Sequence, residues 1–399
     1  MAIFNFETSD TRFKYSTNIG ELERRWKVTR EAMEKENIDC LVLANFNRLF
    51  GGINRYLTDI AVPLYPLTSL FHRDPDKGIS VFMHGEKNSG RVPPYQANKG
   101  LKDNISAPYL PSICYSDNYL AVEAVNVIKR YGYKKLGLYG MNTIPAAFYL
   151  YLRNNLPEDV EFVDVSRMMD RIKAVKSEYE LKMWQKSVEI HDRLMAAVPC
   201  LLRPGRIEKD VASDVIKLAL DLDCEDFNVM TGADPLRPTI HNCMLQNNII
   251  RQGDAVEFLI EVAAPSGIWA ECGRLFSLGE PDPELRRAYD NAVDLQNTIA
   301  PLCKPGVQVS KLFAYLNDQL GKRGYLPETR IFAHGQSYDI VDRPIFSAEE
   351  DMVLEEGMFF ALHPTCATER VSCYVCDNYV VEKDGARRMS KTPMEFFII

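Results

Sequence analysis

The stretch GDAVEFLIEVAAPSGIWAECGRLFSLG, residues 253–279, decides how the chain is read. Gly253-Asp254 opens an apolar run, residues 263–267 make a turn, and 268–276 return, which predicts a β-hairpin. Side chains alternate faces along a strand, so Glu257, Leu259 and Glu261 share one face. Acids on an otherwise apolar strand are costly to bury unless they are paired, coordinated or catalytic. The return strand adds Glu271, and Arg274, three residues on, is a candidate partner for it.

Working outward, the second half of the chain carries a faint internal repeat. Arg203-Pro204-Gly205 precedes an amphipathic helix predicted over 208–220, and Lys304-Pro305-Gly306 precedes another over 310–321. A Gly-led apolar strand follows each, at Gly253 and at Gly357. The Pro-Gly pairs lie 101 residues apart and the strand openings 104. Two similar ααβ halves packed face to face would set a cleft between their sheets.

The first half alternates helix and apolar strand. A helix is predicted over 21–37, a strand from Asp39, a strand over 79–84, a helix over 119–131 and a strand over 136–139. That alternation predicts an α/β layer domain. Gly51-Gly52 lacks the spacing of a dinucleotide-binding loop. A strand and a polar connector over 164–176 end the first domain, and a long helix over 177–197 starts the second, with Glu178 and Glu180 where the helix dipole favours acids. The expected division is 1–170 and 171–399.

Composition sets the outer bounds. A chain of 399 residues favours two domains, and 46% hydrophobic with 26% charged residues describes a globular protein. A net charge of −8 argues against nucleic-acid and anionic-membrane partners. The first fifteen residues, MAIFNFETSDTRFKY, lack the apolar core of a signal peptide, and no run is long enough to span a bilayer. Ten scattered cysteines with a single CxxC frame, Cys373 to Cys376, suggest reduced thiols of a cytoplasmic protein. In a strand, positions three apart face opposite sides, so that frame does not share one metal easily. Cys272, Cys366 and Cys376 are read as buried inert thiols.

Six histidines remain to be placed. His72 and His84 read as structural or exposed, and His191 reads as a surface residue of the long helix. His241, His334 and His363 each fall beside a strand of the second half. Together with Glu261, Glu271 and Cys376 they predict one shared site.

These residues and motifs resemble the family of creatinase, prolidase and methionine aminopeptidase. Residues 171–181, RIKAVKSEYEL, resemble the segment that opens the family's C-terminal domain, and LEEGM at 354–358 resembles its LEPGM stretch. The resemblance implies a creatinase/prolidase-type N-terminal α/β domain followed by a C-terminal pita-bread domain of pseudo-twofold ααβ halves. Peptidases of the family hold two divalent ions with two Asp, one His and two Glu. Counted from Gly253-Asp254, the first Asp position falls on Leu259, and Glu261 reaches it only with a shift in the strand. Glu271 replaces the second Asp, His334 matches the histidine, and His363 and Cys376 stand at the two Glu positions. The second active-site histidine falls on Val341.

So much lost carboxylate charge makes a two-ion aminopeptidase centre unexpected. The resemblance to creatinase instead implies a metal-free hydrolase of a C–N bond in a small nitrogenous or zwitterionic substrate, with no cofactor. His241 would shuttle the proton, helped by Glu271, with His334 and His363 hydrogen-bonding the group that gains charge. Arg343, Glu261 and Cys376 would contact substrate, Arg343 through its planar fork. Gly273 and residues 61–70, which lack creatinase's glutamate and arginine, point away from creatine itself. One alternative is a hydrolase or lyase with a single zinc or iron ion on Glu271, His334, His363 and Cys376. Another is a non-catalytic pita-bread binding protein. A homodimer is expected by resemblance.

Overall fold

Why the hairpin sits where it does follows from a period of two. In the computed structural model, which describes residues 16–45, 49–61, 65–87 and 100–399, residues 255–263 and 269–277 are buried strands. The reading of residues 1–15 lies outside the described residues, as does part of the stretch 61–70. The chain divides into two compact units, Met1–Lys173 and Ala174–Ile399.

The first unit is an α/β layer. Its helices are α1 (Ile19–Lys35), α2 (Gly52–Thr58), α3 (Tyr119–Tyr131), α4 (Ala146–Asn155) and α5 (Ser166–Ala174), which ends at the division. Its strands are β1 (Cys40–Asn45), β2 (Leu67–His72), β3 (Ile79–His84), β4 (Leu101–Ala107), β5 (Lys135–Leu138) and β6 (Glu161–Asp164). They form one mixed sheet in the order β4-β3-β2-β1-β5-β6. Asn18 starts α1 by accepting from the Glu21 N–H at 2.8 Å. The polar connector expected over 164–176 is in fact mostly helix α5: Asp164 accepts from the Ser166 N–H at 2.8 Å and starts the turn.

The second unit repeats itself. Helices α6 (Glu178–Leu201) and α7 (Glu208–Asp221) precede β7 (Asp226–Asp234), β8 (Ala255–Ala263) and β9 (Trp269–Ser277). Helices α8 (Pro283–Ile299) and α9 (Val309–Lys322) precede β10 (Ala333–Gly335), β11 (Asp342–Ile345) and β12 (Phe359–Leu362). The small pair β13 (Thr365–Ala367) and β14 (Ser372–Tyr374) follows, then β15 (Asp377–Glu382), β16 (Gly385–Arg388) and β17 (Phe397–Ile398). The two main sheets run β17-β9-β8-β7 and β11-β10-β12-β15-β16. The runs β7-β8-β9 and β10-β12-β15 correspond. Both Pro-Gly turns are built alike: Gly205 N–H donates to Ile250 O at 2.8 Å and Gly306 N–H to Leu354 O at 2.9 Å, each glycine at positive φ.

Alternation decides which residues face the helices. Val256, Phe258, Ile260 and Val262 pack against α6 and α7, while Phe360 and Leu362 pack against α8 and α9. The intervening residues face the other way, and Leu259, Ala361, Tyr374 and Cys376 meet there, flanked by Met230 and Ile240. Gly273 and Cys376 join the two sheets through reciprocal backbone bonds of 3.1 Å. Arg274 braces this joint rather than pairing with Glu271. Its side chain points to the opposite face and meets Asp377 at 2.8 Å and the carbonyls of Cys376 and Pro393. His191 is buried, not on the surface: its Nδ1–H donates to Ser187 O at 2.7 Å, and its Nε2 accepts from the Val262 N–H at 3.1 Å. Among the described residues, no helix is long and apolar enough to cross a membrane.

Candidate metal centre

Glu271 projects from the middle of β9, opposite Glu261 on β8. Asn378, at the start of β15, holds the backbone of Glu271 from both sides: its Nδ2 donates to Glu271 O at 2.6 Å, and its Oδ1 accepts from Glu271 N at 3.2 Å. Two imidazoles face the carboxylate. His334 Nε2 lies 3.6 Å from Glu271 Oε2, and His363 Nε2 lies 4.0 Å from Glu271 Oε1. Each of the three residues offers a ligand atom within 4.8 Å of the others, and among the described residues they form the one such group.

The chemistry of these donors suits a divalent ion. A ligand imidazole must be neutral and must turn a lone pair toward the ion. Burial lowers the pKa of His334, and burial with the neighbouring His334 lowers that of His363 to about 3. His334 Nδ1–H donates to Gly335 O at 3.0 Å, which leaves Nε2 as the acceptor facing Glu271. Two imidazoles and one carboxylate are a ligand set used by catalytic zinc, with a position left open.

Glu261 and Cys376 stand beside this group. Cys376 Sγ–H donates to Glu271 Oε1 at 3.0 Å. Burial, then the nearby Glu271, holds the Cys376 thiol well above its usual range, so it is a neutral donor and not a ready thiolate. Cys272 and Cys366 are buried thiols pushed up to about 12 by burial. Glu261 accepts from Asn228 Nδ2, and burial with the charge of Glu271 raises its pKa, so that Glu261 is the protonated partner of the pair.

Two expected residues are not brought into this group. The backbone of His241 bridges to Thr231 at the edge of β7. Ile240 packs into the inner apolar cluster, so the next side chain points away, and His241 Nε2 lies 3.0 Å from Glu208 Oε2 on α7. Its Nδ1–H donates to Thr239 O at 3.0 Å. The Arg343 guanidinium is engaged by two acids, meeting Glu350 Oε2 at 3.0 Å and Asp351 Oδ1 at 2.6 Å. Sequence reasoning missed Asn378, Asn228 and Glu208. Asn378 left a signal, a polar residue inside the run DNYVV, whereas Asn228 meets Glu261 and Glu208 meets His241, each pair 33 residues apart in the chain.

Comparison with known proteins bears on the chemistry. The profile of metallopeptidase family M24 matches residues 182–383, half of the chain. A protein of Mycobacterium tuberculosis named "Probable dipeptidase PepE" is 28% identical over 236 residues, covering 58% of this chain and 62% of that relative. The match therefore spans less than two thirds of that relative's own length. The Xaa-Pro dipeptidase of Pyrococcus horikoshii is 24% identical over 372 residues, 92% of this chain and 96% of that protein. The fold is similar to that of the X-Pro aminopeptidase from Thermotoga maritima (TM-score 0.78, 15% identity, 94% of this chain and 99% of that one). It is also similar to the prolidase from Pyrococcus horikoshii (TM-score 0.73, 20% identity, 93% and 99%). The expected N-terminal α/β domain with a C-terminal pita-bread domain is the fold observed.

These findings correct the expected chemistry. A metal-free, creatinase-like hydrolase of a non-peptide C–N bond is overturned, because the matching profile is that of metallopeptidases and the relatives are named dipeptidases. Setting aminopeptidase-type chemistry aside is overturned on the same ground. The expectation of no cofactor fails too. It counted lost carboxylates as lost ligands, whereas the imidazoles that replace them are ligands themselves.

Proposed function

The chain belongs to metallopeptidase family M24, and from that premise we propose that it hydrolyses the amide bond of small dipeptide-like substrates with a divalent ion held by Glu271, His334 and His363. The observation that carries the reading is the mutual approach of those three ligand atoms within 4.8 Å. The names of the relatives, Xaa-Pro dipeptidase among them, supply the substrate class.

When bound, the ion supplies Lewis acidity to a carbonyl oxygen and lowers the pKa of water, so that a nucleophile exists near neutral pH. The residues of the chain do the rest. Glu271 and the two imidazoles fix the ion, and Gly335 O and Asn378 fix two of those ligands in turn. Glu261, across the strand pair from Glu271 and protonated there, is placed to give its proton to the departing nitrogen and to regain one from the attacking water. The apolar wall of Leu259, Ala361 and Met230 excludes water beside the reacting bond. His241 and Arg343, expected to act on the substrate, serve in this reading to hold the loop at β7 and the segment after β11.

The test is elemental analysis of the purified full chain, followed by a panel of dipeptides with and without added zinc. Uptake of an ion that Glu271→Gln abolishes, with dipeptide cleavage lost in parallel, supports the reading. A chain that takes up no ion, or that cleaves dipeptides equally well as Glu271→Gln, sinks it. The same reading includes a homodimer acting on small molecules, and a monomer mass by light scattering would remove that part.

A further inference from the structure

Tyr374 plays no part in holding the ion, yet its side chain lies beside the ligand group, against Gly273 and Cys376. It ends β14, two residues before Cys376, and therefore shares a face with it. Its N–H donates to Glu257 Oε1 at 2.9 Å, which ties this strand to β8. The ring packs against Gly273, where a side chain would collide: a Cβ at position 273 would stand 2.7 Å from Tyr374 Cε2 and 2.9 Å from Cys376 Cβ. Gly273 is two residues along β9 from Glu271, on the same face, so the ring is a neighbour of the ligand group. Around it are Leu259, Ala361 and Cys376, with Met230 and Ile240 at the rim.

The phenol end sets Tyr374 apart from Tyr379 in the same unit. Tyr374 is 9% exposed, and its hydroxyl is buried without a hydrogen-bond partner among the described residues. Tyr379, also buried, donates to Gln296 Oε1 at 3.1 Å. Leaving a buried hydroxyl unpaired costs about 1–3 kcal/mol, and such a group calls for a reason. Burial, then the neighbouring Glu257, with Cys376, Glu271 and Glu261 behind it, keeps the phenol protonated. Among neighbouring carboxylates, a neutral O–H is the kind of donor that can face an oxygen gaining negative charge.

We propose that Tyr374 is a substrate-contacting residue whose Oη–H donates a hydrogen bond to the oxygen of the scissile carbonyl beside the Glu271, His334 and His363 group. The bond strengthens as the carbonyl becomes tetrahedral, and no proton leaves the phenol. The role rests on the hydrolase reading above, and it predicts selectivity for substrates that present a carbonyl oxygen to the face of β9 between Gly273 and Leu259.

The experiment compares the zinc-loaded full chain with its Tyr374→Phe variant. Both are measured on the dipeptide that the unaltered chain cleaves fastest, and by calorimetric binding of the corresponding phosphinic dipeptide, whose tetrahedral oxygens mimic the oxyanion. The expected result is a loss of kcat of about a hundredfold, the scale for removing one such donor. KM and zinc content stay as they were, and the phosphinate binds correspondingly more weakly. The melting temperature stays level or rises, since an unpaired hydroxyl has been removed. Unchanged kcat and unchanged phosphinate affinity would overturn the inference, and a fall in melting temperature alone would mark the hydroxyl as structural. A chain that takes up no ion and neither cleaves dipeptides nor binds the phosphinate overturns the hydrolase reading, and this inference with it. Tyr374→Phe protein with undiminished kcat and phosphinate affinity overturns this inference alone.

Discussion

His191 and His334 are both buried imidazoles with a backbone carbonyl on Nδ1, and the second nitrogen separates their roles. His191 Nε2 accepts from the Val262 N–H, so every polar atom of the ring is satisfied within the fold. His334 Nε2 faces Glu271 and keeps its lone pair available. Burial lowers the pKa of His191 to about 4, against about 6.5 for the free side chain. Above pH ~6.5 the ring is neutral in both folded and unfolded chains; as pH falls, the unfolded chain takes the proton first. His191 therefore withdraws stability between pH ~6.5 and ~4, up to about 3 kcal/mol. A His191→Gln variant is expected to be less stable at pH 7 but to lose less further stability down to pH 4.5, as read from melting temperature against pH. An equal slope in both proteins would contradict this. At the ligand group itself, His334→Ala or His363→Ala is expected to weaken zinc binding at least a hundredfold, beyond the 10–100-fold usual for losing a supporting residue. Competition with a chelator measures it.

Strands β9 and β15 meet at Gly273 and Cys376, and Arg274 is what holds that meeting in place. Its guanidinium is fully buried, bonded to Asp377 and to the carbonyls of Gly273, Cys376, Thr392 and Pro393. Removing it strands those acceptors without water, and Arg388, also 2.9 Å from Asp377 Oδ1, replaces only part of the charge. Arg274→Met is expected to cost about 3 kcal/mol or more in chemical denaturation. Arg274→Lys should recover little of it, because an ammonium cannot reach five acceptors in a plane. A Lys variant of full stability would show that charge alone, and not the planar fork, supports the joint. Gly232 sets a similar limit on β7: a Cβ there would lie 2.0 Å from Thr239 O. The close approach it permits is what turns Ile240 inward and His241 outward.

Across the whole molecule, ion binding and folding are linked through the second unit, Ala174–Ile399, which holds all three proposed ligands. A ligand that binds only the folded state stabilises by about 2.7 kcal/mol at a hundredfold excess over its Kd. Added zinc is expected to raise the melting transition and to slow hydrogen exchange in β8, β9, β10 and β12. Exchange in the sheet β4-β3-β2-β1-β5-β6 of the first unit should change little. Slowing spread evenly over both sheets, or absent from β9, would place the ion elsewhere.

What the chain determined locally was legible in its sequence. The hairpin at 253–279, the Pro-Gly turns 101 residues apart and the helices that follow them rest on periodicity and turn chemistry, which neighbours in sequence specify. Glu271, His334 and His363 could be named because each stands at a strand position where an ionisable side chain needs a reason. The tertiary structure decided which of the named residues meet. Ile240 and His241 are adjacent in the chain, yet one joins the inner cluster and the other pairs with Glu208. Arg343 spends its guanidinium on Glu350 and Asp351. Tyr374 and Gly273 lie far apart in sequence and pack in contact. A side chain's direction depends on the register of strands that pair over long stretches of chain, and no local pattern encodes that register.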